Sequence, residues 1–330
     1  MNRNSPGFAS LLRAELAARN RIYARGRAHV ESYGAAPVII YKPQNMHHGN
    51  FFDPAYAAIL TRPQWLQRFD KIHAQARSLP RPEENRKWRE LDSCMSSDAL
   101  LMNVFCTPGV TQSAAVRNAL GIDADSLPDF GWKARVPLRS GRFDRTEVDM
   151  RWGSLLIEAK LTESDFQVRE ARIVEDYRDF EDIFDRDLLP RAAIATARPR
   201  RASEFPENIS QEFESTLGAP EAIEAIDPLI PASGEVGYAN YQLIRNVLAA
   251  HAAGASFCVI HDQRRPDLRE QWFQVMAAVR SASLRVRLKV ITWQELAALL
   301  PGELQAFLAA KYGIVPPGRM PSDIEEGWIP

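Results

Sequence analysis

Residues 145–160 read Arg145-Thr146-Glu147-Val148-Asp149-Met150-Arg151-Trp152-Gly153-Ser154-Leu155-Leu156-Ile157-Glu158-Ala159-Lys160. An alternating run meets a Gly-Ser step, and a second apolar run follows it, which predicts a β-hairpin. Gly153-Ser154 suits a two-residue type II′ turn, where glycine takes the first central position. That register opposes Trp152 to Leu155, Asp149 to Glu158 and Glu147 to Lys160. Thr146, Val148 and Met150 then share a largely apolar face, with Glu147 and Asp149 on the other. In the second strand Leu155, Ile157, Ala159 and Leu161 are apolar, and Glu158 and Lys160 point opposite.

The charge pattern of this hairpin is its most specific property. Directly opposed Cβ atoms lie ~4.5–5.5 Å apart, where like charges destabilise. Two carboxylates ~5 Å apart repel by roughly 3 kcal/mol at an effective dielectric of ~20. A divalent cation between them reverses the sign, and hard oxygen ligands with open water positions suit Mg²⁺. Lys160 shares the face, within reach of a water or phosphate on such an ion. An ordinary solvated face would pair opposite charges. Glu147 against Lys160 fits that bland reading and suggests an ion pair, but Asp149 against Glu158 does not. Asp149, Glu158 and Lys160 are therefore the candidate catalytic residues.

Working outward, a Ser96-Ser97 N-cap opens a helix with Leu100, Leu101, Val104 and Phe105 on one stripe, and Pro108-Gly109 ends it. Strand-like runs follow at 132–138, 142–151 and 154–161. Residues 162–238 interrupt the pattern. They begin with an acidic, helix-forming stretch (163–189) and become Pro-, Ser- and Gly-punctuated. Asn240 is a candidate N-cap for a helix over 241–253, closed by Gly254. Phe257-Cys258-Val259-Ile260 is a short buried strand. A helix over 267–279, a strand over 286–291 and a capping box at Thr292-Trp293-Gln294-Glu295 complete the alternation. Residues 1–90 read as mainly helical, with a break at Arg62-Pro63. Strands first and alternating units afterwards predict an α/β fold with a mixed central sheet flanked by helices.

Asp149 followed by Glu158-Ala159-Lys160 at the end of an apolar strand resembles the signature of the PD-(D/E)XK nuclease superfamily, the restriction-endonuclease-like fold. The order helix, three strands, helix, strand is that fold's core. Gly49-Asn50-Phe51-Phe52-Asp53, Ser96-Ser97-Asp98-Ala99-Leu100, Tyr241-Gln242-Leu243-Ile244-Arg245-Asn246 and Thr292-Trp293 resemble bacterial restriction-endonuclease-like proteins of the group. Val148 stands where the family often has proline before the first acid. The resemblance implies a helical N-terminal region (1–90), a nuclease core in two parts (91–161 and 239–330) and an insertion (162–238). It implies a Mg²⁺-dependent DNA endonuclease, with Mn²⁺ able to substitute, acting in defence against foreign DNA and compatible with a homodimer. By the same resemblance the Ala159 carbonyl joins Asp149 and Glu158 on the metal. Asp98 on the early helix and Gln242 on the later one are supporting candidates beside Glu147. Dipole compensation is the favoured reading of Asp98, and an ordinary amphipathic face explains Gln242 and Arg245 equally well.

The remaining sequence bounds these readings. The chain has 330 residues and a net charge of -1, so phosphate contacts would need a local patch. The near-neutral charge keeps open a second class, a nuclease-like module that grips nucleic acid or protein without cutting. Cys94, Cys106 and Cys258 lack metal-ligand spacing and read as reduced core residues of a cytoplasmic protein. No apolar run approaches the roughly 18 residues of a membrane span. Arg198, Arg200 and Arg201 suggest either phosphate contacts or a solvated loop. His47-His48 lacks a third metal ligand, and Trp152 reads as packing beneath the turn. No phosphate-binding glycine loop, GxSxG elbow or zinc-finger spacing is present.

Overall fold

The Gly153-Ser154 turn forms as expected. Gly153 has φ 58° and Ser154 is not left-handed, and the register pairs Trp152 with Leu155, Arg151 with Leu156 and Met150 with Ile157. The computed structural model describes residues 7–34, 36–72, 79–82, 87–123, 126–194 and 236–318. Arg198, Arg200, Arg201 and residues 195–235 of the expected insertion lie outside them.

The chain begins with α1 (Phe8–Tyr23), β1 (His29–Glu31), β2 (Ile39–Tyr41), β3 (Pro43–Gln44), β4 (His47–His48), α2 (Asp53–Leu60) and α3 (Pro63–Phe69). It continues through α4 (Ser97–Phe105), α5 (Ala114–Leu120), β5 (Asp129–Lys133), β6 (Val136–Pro137), β7 (Phe143–Asp144), β8 (Glu147–Trp152) and β9 (Leu155–Ala159). Next come β10 (Arg169–Glu170), α6 (Ala171–Val174), α7 (Phe180–Ile183), β11 (Arg191–Ala193) and β12 (Val236–Tyr238). The last part holds α8 (Tyr241–Ala252), β13 (Ser256–His261), α9 (Pro266–Ala277), α10 (Ala282–Arg285), β14 (Leu288–Thr292), α11 (Trp293–Ala297) and α12 (Gly302–Tyr312).

The central sheet runs β14-β13-β9-β8-β5. β5, β8 and β9 form an antiparallel meander, and β13 and β14 run parallel to β9. This is the mixed α/β restriction-endonuclease-like core the sequence predicts. Alternation along β9 and β13 divides the interior in two. Leu155, Ile157, Ala159, Cys258 and Ile260 pack with α4, α1, α11 and α12, whereas Leu156, Phe257 and Val259 pack with α8 and α9. Each fully buried Leu or Ile contributes roughly 1.5–3 kcal/mol by leaving water. Ser96 caps α4 by accepting from the Ala99 N–H at 3.1 Å. The Thr292–Glu295 capping box opens α11.

Several expectations need correction. The N-terminal region carries two small ribbons, β1–β2 and β3–β4, because the β-favouring Ile39-Ile40-Tyr41 run is wholly buried. The stretch 163–189 forms the short strand β10 and the one-turn helices α6 and α7, not a long helix, since Phe166, Val174, Tyr177, Phe180, Ile183 and Phe184 all turn into the α8-side core. Asn240 precedes α8 in a left-handed conformation, and its side chain makes no capping bond. Val148 and Met150 do not share a core: Val148 packs on the α8 side and Met150 on the α4 side. Phe130 and Trp132 divide the same way, around Gly131 at φ 67°. A left-handed glycine within β5 breaks the regular pleat beside Asp149. Cys94, Cys106 and Cys258 are buried free thiols. Among the described residues no helix is long and apolar enough to cross a membrane.

Candidate active site

Strands β8 and β9 separate where their side chains matter most. Register pairing ends at Met150↔Ile157. One step further Asp149 would oppose Glu158; instead the Ala159 N–H donates to Asp149 Oδ2 at 2.8 Å. A carboxylate thus takes a donor that a continuing ladder would give to a backbone carbonyl. Asp149 is half-buried, while Glu158 and Lys160 are buried on the strand beside it.

Helix α8 completes the side facing Glu158 and Lys160. Lys160 Nζ stands 2.8 Å from Glu158 Oε1 and donates to Gln242 Oε1 at 3.0 Å. One turn along, Asn246 Nδ2 donates to Glu158 Oε2 at 2.8 Å. Positions i and i+4 share a helix face, so Gln242 and Asn246 meet the Glu-x-Lys pair together. Asn246 falls within the Tyr241–Asn246 stretch, and its i+4 spacing from Gln242 is the sequence signal for it. Arg245 lies instead over the Tyr241 ring, 5.3 Å from its centroid. The Lys160 ammonium also sits 5.4 Å from the Phe166 ring centroid. Trp293 Nε1 donates to the Lys160 carbonyl at 3.0 Å, tying α11 to the end of this strand segment.

On the other side the partners differ from expectation. Glu147 does not pair with Lys160. It receives Arg68 Nη1 at 2.5 Å and Lys71 Nζ at 3.1 Å. The physical reason is that α8 and Glu158 draw Lys160 away, while α3 delivers Arg68 to β8. Arg68 Nη2 also reaches Asp98 Oδ2 at 2.5 Å. Asp98 therefore does point inward from the first turn of α4, joined through Arg68 to Glu147. No sequence signal marked Arg68, which lies in the N-terminal region and reaches the site only through tertiary packing. Glu163 closes the end of β9: its Oε2 accepts the Leu161 N–H at 2.7 Å and its Oε1 the Ser97 hydroxyl at 2.5 Å.

The electrostatics follow from burial and crowding. Burial, then Glu158 and Asp98, raise the Asp149 carboxyl well above its ordinary range. Burial pushes Asp98 up to about 6 against the pull of Arg68. For Lys160 burial favours the neutral amine, but Glu158, Glu163 and Asp149 outweigh it and hold the ammonium charged. Burial also opposes ionisation of Glu147, yet Arg68 and Lys71 prevail and lower its pKa. The centre combines a charged lysine with a carboxylate that resists ionising without a cation.

The donor set fits a divalent ion of the Mg²⁺ kind. It offers hard oxygens from Asp149 and Glu158, and Asn246 Oδ1 is buried with no hydrogen-bond partner among the described residues. Among the described residues no three His, Cys, Asp or Glu side chains converge as a ready-made metal cage. Two carboxylates and a main-chain carbonyl suit an ion that keeps several waters, as Mg²⁺ does. His47 and His48 are separate: His47 pairs with Asp53 at 2.9 Å, and buried His48 with Asp92 at 3.0 Å. Trp152 is buried against Phe105 and donates to the Ser126 carbonyl. A cavity of about 1250 Å³ lies between α1, the β3–β4 ribbon and α12, and none of the carboxylates of the site lines it.

The family described as restriction endonuclease associating with ARP matches residues 13–313. No curated protein and no solved structure matches the chain significantly.

Proposed function

The chain belongs to the family of restriction endonucleases associating with ARP, and on that premise we propose that it hydrolyses DNA phosphodiester bonds at the Asp149–Glu158–Lys160 centre. The proposed cofactor is Mg²⁺, with Mn²⁺ able to replace it, held by Asp149, Glu158 and the Ala159 carbonyl. When bound, the ion would polarise a phosphoryl oxygen and lower the pKa of an attacking water. The observation that carries the reading is the buried Glu158–Lys160 pair beside a carboxylate whose ionisation burial, Glu158 and Asp98 oppose.

The protein's own groups divide the work. Asn246 and Lys160 each occupy one Glu158 oxygen and fix its orientation. The Ala159 N–H fixes Asp149 Oδ2, leaving Oδ1 for the ion. Lys160, held charged between Glu158 and Gln242, stabilises the negative charge that develops on the phosphoryl group. It also orients the water. Glu147 and Asp98 support the site through Arg68. Participation in defence against foreign DNA, the association with ARP named in the family description, and a homodimer belong to the same proposal.

The test is cleavage of plasmid and single-stranded DNA with Mg²⁺, Mn²⁺ or EDTA, alongside Asp149→Ala and Lys160→Ala. Metal-dependent cutting lost in both variants is the expected result. Cutting that survives both substitutions sinks the site. Binding without cleavage of any substrate favours a non-catalytic module on this fold.

A further inference from the structure

Arg68 lies inside the acidic cluster. It is buried, bridges Asp98 and Glu147 at 2.5 Å each, and carries a guanidinium that Asp98, Glu147 and Asp149 hold protonated against the cost of burial. The neighbouring strand is shaped around it. A Cβ on Gly131 would stand 2.9 Å from Arg68 Nη1, and Gly131 adopts φ 67°. Four carboxylates, Asp98, Glu147, Asp149 and Glu158, thus share two buried cations, Arg68 and Lys160. Lys71 also touches Glu147, but it is more exposed and pairs with Glu90 as well.

We propose that Arg68 takes the place of a second divalent cation, so that the centre holds one ion per chain. The proposal rests on the nuclease reading of Asp149 and Glu158. A second ion at Asp98 and Glu147 would stand against the guanidinium itself, whose fixed positive charge repels it and whose charge-assisted hydrogen bonds bridge the two carboxylates. Guanidinium stays protonated throughout the accessible pH range and presents no open coordination position. It therefore neutralises the Asp98–Glu147 side without binding or activating a water as a metal does. Arg68 is a positioning residue, and the ion-binding side is confined to Asp149, Glu158 and the Ala159 carbonyl.

The test is a Mn²⁺ titration of the full chain, read by electron paramagnetic resonance of the free ion, with folding checked by circular dichroism. Wild type is expected to bind one Mn²⁺, Arg68→Met two, and Arg68→Lys one. Asp98→Asn is expected to keep a single ion, at an affinity shifted by the lost charge beside Asp149, and this arm holds even if Arg68→Met does not fold. Two ions on wild type, one on folded Arg68→Met, or loss of the ion in Asp98→Asn overturns this proposal while leaving the nuclease reading in place. No Mn²⁺ on wild type, or binding unchanged in Asp149→Ala, overturns both.

Discussion

Asp149→Asn separates the charge of the centre from its shape. The amide matches the carboxylate in size and keeps an oxygen to accept the Ala159 N–H, which Asp149 Oδ2 accepts at 2.8 Å. It removes one negative charge beside Glu158. Burial first, then Glu158 and Asp98, raise the Asp149 pKa well above 3.8, so its ionisation costs the metal-free fold stability. Between the unfolded and folded pKa values the native state binds the extra proton, and stability falls as pH rises through that window. Charges ~5 Å apart at a dielectric of ~20 repel by roughly 3 kcal/mol. Lys160 opposes part of that, which leaves a net gain of about 1–2 kcal/mol for the metal-free variant on the same scale. At ~2–4 °C per kcal/mol, Asp149→Asn in EDTA at pH 8 should melt about 2–8 °C above wild type, with the gap closing toward pH 4. A divalent ion at ~100 times its Kd adds about 2.7 kcal/mol to wild type alone and inverts the order. Thermal melts at pH 4–8 with EDTA, Mg²⁺ and Mn²⁺ measure both effects. A variant that melts below wild type in EDTA at pH 8, or a metal shift equal in both proteins, refutes the reasoning.

Three further perturbations probe the surroundings. Asn246→Leu leaves Glu158 Oε2 without the donor it has at 2.8 Å; the expected loss is about 1–3 kcal/mol in urea unfolding, with at least a tenfold fall in cleavage. Gly131→Ala meets φ 67° and the Arg68 guanidinium, so urea unfolding should show a loss of about 1–2 kcal/mol from the backbone alone and more from displacing Arg68. Lys311, on α12, is buried against α1, hydrogen-bonded to Asn20 Oδ1 at 2.9 Å and 4.4 Å from the Tyr312 ring centroid. Burial lowers its pKa from 10.5 to about 7 against the pull of Cys94, and the Arg27 charge lowers it further. In the window from pH 7 to 10.5 the unfolded chain binds the extra proton, so this group makes stability rise with pH, by at most about 1.4 kcal/mol per unit. Lys311→Met should flatten that rise in melts between pH 7 and 9; an unchanged slope contradicts it.

Local sequence was enough for the hairpin. A Gly-Ser turn admits few registers, and the period-2 rule converts a register into faces, so the proximity of Asp149 to Glu158 follows from a short stretch of chain. The continuous apolar run at Phe257–Ile260 likewise marks a central parallel strand buried on both faces. The Ser96 cap and the Thr292–Glu295 box are local hydrogen-bond patterns, legible for the same reason.

Tertiary structure decided which groups answer the charges. Lys160 and Glu147 share a face in an ideal hairpin, but the ladder ends at Met150↔Ile157, and each then takes the nearest partner from a distant helix: Glu158 with Gln242 for Lys160, Arg68 with Lys71 for Glu147. Val148 and Met150 also go to opposite cores, as Phe130 and Trp132 do on either side of the left-handed Gly131. Periodicity describes one strand against its immediate neighbour. A buried carboxylate is stabilised by whatever cation the packed helices bring to it, and residue 68 meets residues 98 and 147 only once the core has closed. From the sequence alone came the presence of two acids and a lysine at one hairpin; from the packed fold came the arginine that divides them.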